Sequence, residues 1–242
     1  RNDEFAKLTP EQAQERCDGF LPGVYPYDSQ EEAGQAFNNR FGRLFYSAIL
    51  DTAIAAGGRL IPENIGHEVD KRTDNIFPDL NLPQMAVFGV KLESEPHLEL
   101  GRLRPQTVLF SGTHDNDSLR ERIASVLECG SEGKASELEQ LQRLLGWRSD
   151  DIESENYSEL QSKYIDALIR SDASYVVLNI LDLLHSEARW NTPGLPSEQC
   201  WRLLFAGTLS EELAQGEAAS SIERVASVAA ECGRSKRNSN WN

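Results

Sequence analysis

Residues 111–118, Ser-Gly-Thr-His-Asp-Asn-Asp-Ser, place a histidine and two carboxylates together in one short polar stretch. The apolar run 107–110 before them predicts a buried strand. Apolar residues at helical spacing follow from Leu119, with Asp117 or Ser118 as the N-cap. Enzymes built from β/α units place catalytic groups at such a junction between strand and helix. The alternative is a capping loop rich in Asp and Asn that has no catalytic role.

Glu63 is a second candidate for chemistry. It follows the short run 59–62, which predicts a strand, and Gly66 permits a tight turn after it. A long helix precedes this strand and is predicted to end at Gly57-Gly58. The order of helix and strand indicates an α/β protein. The alternative for Glu63 is a surface carboxylate or a residue at the start of a helix.

A third candidate lies in the polar loop 186–194, where Trp190 stands beside Asn191. An indole offers a flat apolar face, and an amide both donates and accepts hydrogen bonds, so the pair suits a sugar. The alternative is a turn formed by Pro193 and Gly194 with a buried tryptophan.

The remaining elements must position these residues. A strand is predicted over Met85–Leu92, and Ser174–Leu184 is apolar enough for a strand, a buried helix or both. Amphipathic helices are predicted around 119–129, 135–145 and 157–170. Residues 201–205 and a helix over 210–231 are expected to complete the core.

Composition limits the classes of partner. The 242-residue chain carries a formal net charge of −15, which argues against nucleic acid or an anionic membrane as a partner because the field repels phosphate. No apolar run approaches the ~18 residues of a transmembrane helix. The four cysteines are widely separated, and no His, Cys or Asp cluster has metal-ligand spacing. We therefore expect no metal site and a reducing, cytoplasmic location, with a plastid as the open alternative.

Three separated stretches resemble one enzyme family. Residues 61–66 are similar to its A-E-D-L-G motif, and residues 110–117 to its T-G-T-H-D-N-D motif. Residues 186–194, with the following Trp201, resemble its S-E-A-R-M-N-Y-P-G…W-R-L segment. The family is 4-α-glucanotransferase, also called amylomaltase or disproportionating enzyme, glycoside hydrolase family seventy-seven. The resemblance covers roughly residues 55–215, and the motifs stand in the family's order.

The resemblance implies a (β/α)₈ barrel, of the TIM type, that transfers α-1,4-glucan segments with retention of configuration. Glu63 matches the general acid/base, whose pKa is expected to be raised so that it holds a proton near neutrality. Asp115 matches a carboxylate that holds sugar hydroxyls and favours the oxocarbenium-like transition state. His114 matches a hydrogen-bond donor to the same glucose, and Asn191 lies in the loop on the acceptor side. The implied substrate is a maltooligosaccharide or starch-type glucan, and no cofactor is required.

Retention also needs a nucleophilic carboxylate about 5 Å from the acid. The family carries it in an R-I-D-H-F motif, with which residues 1–5 share Arg, Asp and Phe, so the nucleophile is either Asp3 or a residue upstream. The chain is therefore expected to be the C-terminal part of the barrel, with the N-terminal half of the same enzyme as its partner. Its expected segments are a barrel segment with a helical insertion (1–58), the C-terminal half of the catalytic barrel (59–232) and a disordered tail (233–242).

Two other functions stay open. An α-amylase-type hydrolase is the first, because His-Asp at a strand end is shared across that wider group, although the Ser186–Arg189 segment favours the transferase. A hydrolase only shortens its substrate, whereas a transferase makes both longer and shorter products. The second is a non-catalytic or degenerate glucan-binding module, which would bind sugar without turnover.

Overall fold

The computed structural model describes residues 32–63, 77, 79–95, 97–104, 106–128, 132–148, 156–194 and 200–234. The chain divides into two compact units, Arg1–Pro83 and Gln84–Asn242. Among the described residues, no helix combines the length and the apolar character needed to cross a membrane.

The first unit contains helix α1, Glu32–Ala55. The helix ends where the sequence predicts, because Gly57 adopts a left-handed backbone (φ 72°) and Gly58 N–H donates to Ala53 O at 2.7 Å. Phe77 is fully buried in this unit, and its ring meets that of Tyr46 edge to face at 5.5 Å. Residues 58–63 form no strand, so the strand predicted before Glu63 is wrong.

The second unit is built on a three-stranded parallel sheet. Strands β1 (Gln84–Val87), β2 (Thr107–Phe110) and β3 (Tyr175–Val177) lie side by side in that order. Val87 is in register with Phe110, and Phe110 with Val177, so the carboxyl ends of the strands meet at one edge. This arrangement confirms the predicted α/β class, because parallel neighbours need helical crossovers between them.

Helices occupy the connections and follow the sheet. They are α2 (Phe88–Ser94), a 3₁₀ turn (Leu100–Arg102), α3 (Leu119–Glu128), α4 (Glu132–Leu145), α5 (Tyr157–Ile169), α6 (Ile180–Leu183), α7 (Leu209–Leu213) and α8 (Gly216–Glu231). Residues at helical spacing form their buried faces, such as Leu119, Ile123 and Val126 in α3, and Leu160 and Leu168 in α5. These residues share one apolar core with the inner side of the sheet.

The run Met85–Leu92 changes structure in the middle. It is a strand only to Val87, and Phe88 begins helix α2, so the prediction of one strand is wrong. The reason is the packing of α2, in which Phe88 and Leu92, four residues apart, are both buried on one face. A continuously apolar run hides this change from strand to helix, because both states are buried.

The second long apolar run, Ser174–Leu184, contains both elements that its composition allows, β3 followed by α6. The predicted helix 210–231 is instead two helices, because α7 ends at Leu213 and Gly216 takes a left-handed backbone (φ 53°). Residues 201–205 do not complete the core, since Leu204 is 90% exposed. In the predicted tail, the Arg234 guanidinium donates to the carbonyls of Ile169 and Ser171, and residues 235–242 lie outside the described residues.

Candidate functional site

The carboxyl ends of β2 and β3 carry the predicted site loop. Ser111 N–H donates to Val177 O at 3.0 Å and so extends the pairing of the two strands by one residue. The chain then turns, and Asn116 Oδ1 accepts from Thr113 N–H at 2.9 Å and from Thr113 Oγ1 at 2.8 Å. These bonds close a compact loop whose two central residues, His114 and Asp115, face solvent in part.

The loop leads directly into helix α3. Ser118 Oγ accepts from Glu121 N–H at 3.2 Å, which makes Ser118 rather than Asp117 the N-cap. The next donor, Leu119 N–H, points at a carboxylate of another element, with 2.7 Å to Asp182 Oδ1. The helix terminus therefore binds an anion of the protein itself.

Asp182 is a buried carboxyl group beneath the loop, in helix α6. Its side chain is 1% exposed, and Ser111 Oγ donates to its Oδ2 at 2.6 Å. Burial raises the pKa of Asp182 to about 6, although the bonds from Ser111 and Leu119 act in the opposite direction. Asp182 was not among the residues predicted to matter, but a lone carboxylate inside an apolar run was a signal in the sequence, since buried charge must be compensated.

Asn179 extends this network towards the loop 186–194. Its backbone N–H donates to Ser111 Oγ at 2.9 Å, and its Oδ1 accepts from Leu181 N–H at 3.1 Å. The same Oδ1 also accepts from Trp190 Nε1 at 3.2 Å. Asn179 thus joins the two loops, with its backbone N–H bound to Ser111 and its side-chain oxygen bound to Trp190.

Three of the predicted site residues come together above this network. Asn191 Nδ2 donates to Asp115 Oδ1 at 2.6 Å, and His114 Nε2 lies 3.4 Å from Asp115 Oδ2. The side chains of His114 and Asp115 are 54% and 44% exposed, so both remain accessible to a ligand. The cluster therefore offers a carboxylate, an imidazole and an amide on one accessible surface.

The accessible aromatic ring beside this cluster belongs to Trp201 rather than to Trp190. Trp190 is half buried, its indole N–H is bound to Asn179, and its ring meets Phe205 edge to face at 6.3 Å. Trp201 instead presents the accessible ring: it is 61% exposed, and its ring centroid lies 4.9 Å from that of His114. Trp201 also has a left-handed backbone (φ 62°), which is uncommon for a bulky residue. Residues in such strained conformations are found most often at functional sites.

Glu63 belongs to the first unit, where its side chain is exposed. Gly66 and Asp3 lie outside the described residues. Among the residues that the structure describes, no three His, Cys, Asp or Glu side chains are grouped so as to hold a metal ion.

Known proteins resemble this chain in sequence and in structure. A sequence model of the family described as 4-alpha-glucanotransferase matches residues 23–208. An amylomaltase from Streptococcus agalactiae, solved in complex with acarbose, superposes with a TM-score of 0.54 at 17% sequence identity. The match covers 73% of this chain and 32% of that one, so this chain spans about a third of the length of the amylomaltase. A search of curated proteins finds no match.

The parallel β/α units agree with these findings, which imply a TIM-barrel-type glycosidase fold. The family match covers well over half of the chain and includes the loops of Asp115 and Asn191. The chain belongs to the 4-alpha-glucanotransferase family, glycoside hydrolase family seventy-seven.

Proposed function

We propose that the protein transfers α-1,4-glucan segments to glucose or to maltooligosaccharide acceptors by a retaining double displacement. Family membership supports this reaction. The observation that carries it is the position of Asp115, at the carboxyl end of a parallel strand, where Asn191 donates to it at 2.6 Å. Carboxylates at this end of a β/α sheet are placed to act on a bound substrate.

Asp115 would stabilise the transition state. One of its oxygens is occupied by Asn191, and a carboxylate has about four lone-pair sites, so it can still accept bonds from two sugar hydroxyls. Its negative charge favours the oxocarbenium-like sugar over the neutral ground state, which is the requirement for lowering the barrier. His114 would donate a hydrogen bond to the same glucose.

The exposed ring of Trp201 supports a sugar ligand. Pyranose rings present apolar C–H faces, which pack on indole rings while their hydroxyls bind polar groups nearby. Trp201 lies against His114, which adjoins Asp115, so ring packing and hydrogen bonding are available on the same surface. Asn191 would contribute to the acceptor side of this surface.

Glu63 is proposed as the general acid/base on its match to the family motif alone. It would protonate the departing glycosidic oxygen and later deprotonate the acceptor hydroxyl. We propose further that β1, β2 and β3 are consecutive strands in the C-terminal part of the barrel. Retention also needs a nucleophilic carboxylate about 5 Å from the acid, and Asp3 is the candidate among residues 1–242.

The test is product analysis with the protein at its natural length. Incubation with maltotriose is expected to give a ladder of both shorter and longer oligosaccharides. Glu63→Gln and Asp115→Asn should each lower kcat/KM by about 10³-fold, because each removes a group that acts in the transition state. Matched controls are Glu99→Gln, which alters an exposed ion pair with Arg102, and Asp172→Asn at an exposed position.

The other outcomes identify the alternatives. Products that are only shorter than maltotriose would contradict transfer and indicate an amylase-type hydrolase. Binding of acarbose without turnover would indicate a glucan-binding module. Full activity in Asp115→Asn would contradict the role given to that carboxylate.

A further inference from the structure

Arg189 connects the two loops that carry the proposed site residues. Its Nε donates to Asn191 O at 3.0 Å, and its Nη2 donates to Asp115 O at 2.9 Å. Its Nη1 pairs with the carboxylate of Asp117. The guanidinium thus holds the backbone of both residues whose side chains meet in the site.

We propose that Arg189 is a positioning residue, which sets the Asp115 carboxylate and the Asn191 amide at their working distance. This inference rests on the proposed function. The guanidinium is planar and its donors are fixed in a fork, so three partners bound at once fix its orientation. Because two of these partners are the carbonyls of Asp115 and Asn191, a shift of Arg189 moves both side chains.

A simple surface ion pair would not do this. Exposed pairs contribute little because water and salt screen them. The Arg189 side chain is only 33% exposed, and two of its three bonds go to main-chain oxygens of residues in different loops. Neither of these two bonds pairs opposite charges. The bonds from Arg189 therefore fix the relative position of the two loops, in addition to the attraction between Arg189 and Asp117.

Substitution of Arg189 by lysine separates the effect of the guanidinium geometry from the effect of the positive charge. Arg189→Lys keeps the positive charge beside Asp117, but an ammonium group cannot reach three partners in one plane. We therefore expect Arg189→Lys and Arg189→Gln to lower kcat about 100-fold, as about 1 Å of misplacement does, with KM for maltotriose within about threefold of the parent. The matched control is Arg224→Lys, which alters a three-bond pair with Asp166 between α8 and α5; its kcat should equal that of the parent.

A second readout does not depend on activity. Hydrogen exchange is measured without substrate, on peptides covering residues 111–118 and 186–194. Arg189→Gln should accelerate exchange in both peptides, whereas Arg224→Lys should leave both unchanged. All kinetics are run well below the melting temperature of each variant, so that the folded fraction is the same.

The outcomes separate the two proposals. If the parent makes the oligosaccharide ladder but Arg189→Lys keeps its full kcat, the positioning role is wrong and the proposed function stands. A fall in kcat that matches the fall in the folded fraction would also overturn the positioning role, since Arg189 would then only stabilise the fold. If the parent makes no ladder, the proposed function fails, and unchanged exchange in both peptides would then refute the link between the loops.

Discussion

Replacing Asp182 with asparagine should make the stability of the protein less dependent on pH. The carboxyl is 1% exposed, and burial raises its pKa from the ordinary 3.8 to about 6. The native state therefore holds a proton on Asp182 between these two pH values, whereas the unfolded chain has already lost it. Stabilisation from the protonated group is complete below pH 3.8 and is lost as the pH rises through about 6.

The magnitude follows from the two pKa values. One pKa unit corresponds to ~1.4 kcal/mol, so the change from 3.8 to about 6 corresponds to about 3 kcal/mol. Asparagine resembles the protonated carboxyl: its oxygen can accept from Leu119 N–H, and its amide can donate to Ser111 Oγ. Asp182→Asn should therefore gain up to about 3 kcal/mol over the parent between pH 4 and pH 7.

The measurement is urea unfolding of parent and variant at several pH values, followed by tryptophan fluorescence. The difference in the free energy of unfolding should rise from pH 4 and level off just above pH 6. Asp172→Asn, at an exposed position, controls for the substitution itself. A difference that is constant with pH, or that turns in favour of aspartate as the pH rises, would refute the assignment of a raised pKa to Asp182.

Three further predictions concern packing and charge. A methyl group at Gly89 would overlap the Arg122 guanidinium, which also donates to Gly89 O at 3.2 Å, so Gly89→Ala should lower the free energy of unfolding by about 1–2 kcal/mol in urea. The buried Tyr164 hydroxyl has no hydrogen-bond partner among the described residues, so Tyr164→Phe should leave stability unchanged or raise it by about 1 kcal/mol; a clear loss would show that the hydroxyl is bound. Asn191→Asp would set a second carboxylate against Asp115 and raise the pKa of the pair, so the acid limb of the kcat/KM profile should move to higher pH, and an unmoved limb would contradict this.

Local chemistry made part of the structure predictable. The start of α3 at Asp117 or Ser118 and the end of α1 at Gly57 each depend on one side chain or one backbone angle, so a short stretch of sequence contains the information; the structure selects Ser118 as the N-cap. The end of strand β1 at Val87 could not be predicted in this way. Phe88 and Leu92 are buried in a strand or in a helix, and only their contacts with other helices select α2.

The candidate site divides in the same way. His114, Asp115 and Asn191 stand in motifs and were predicted, and the structure brings their side chains together. The contacts of Arg189 were not predicted, because they join it to a loop that lies more than seventy positions earlier in the chain. Trp201 was assigned to the core because its apolar character, read alone, indicates burial rather than an exposed ring.

Ser111 is bonded to Asp182 and to Asn179, which lie about seventy positions later in the chain. A chimaera of two family members should therefore take the segment that contains all three residues from one parent. A chimaera that receives only residues 111–118 would set a foreign loop against the host's own Asp182, and the bond to Oδ2 would be kept only where the foreign residue at position 111 carries a hydroxyl. Breakpoints placed before β2 and after residue 194 keep donors and acceptors from one parent. Recombination within this family should therefore tolerate crossovers at those borders and select against crossovers between them.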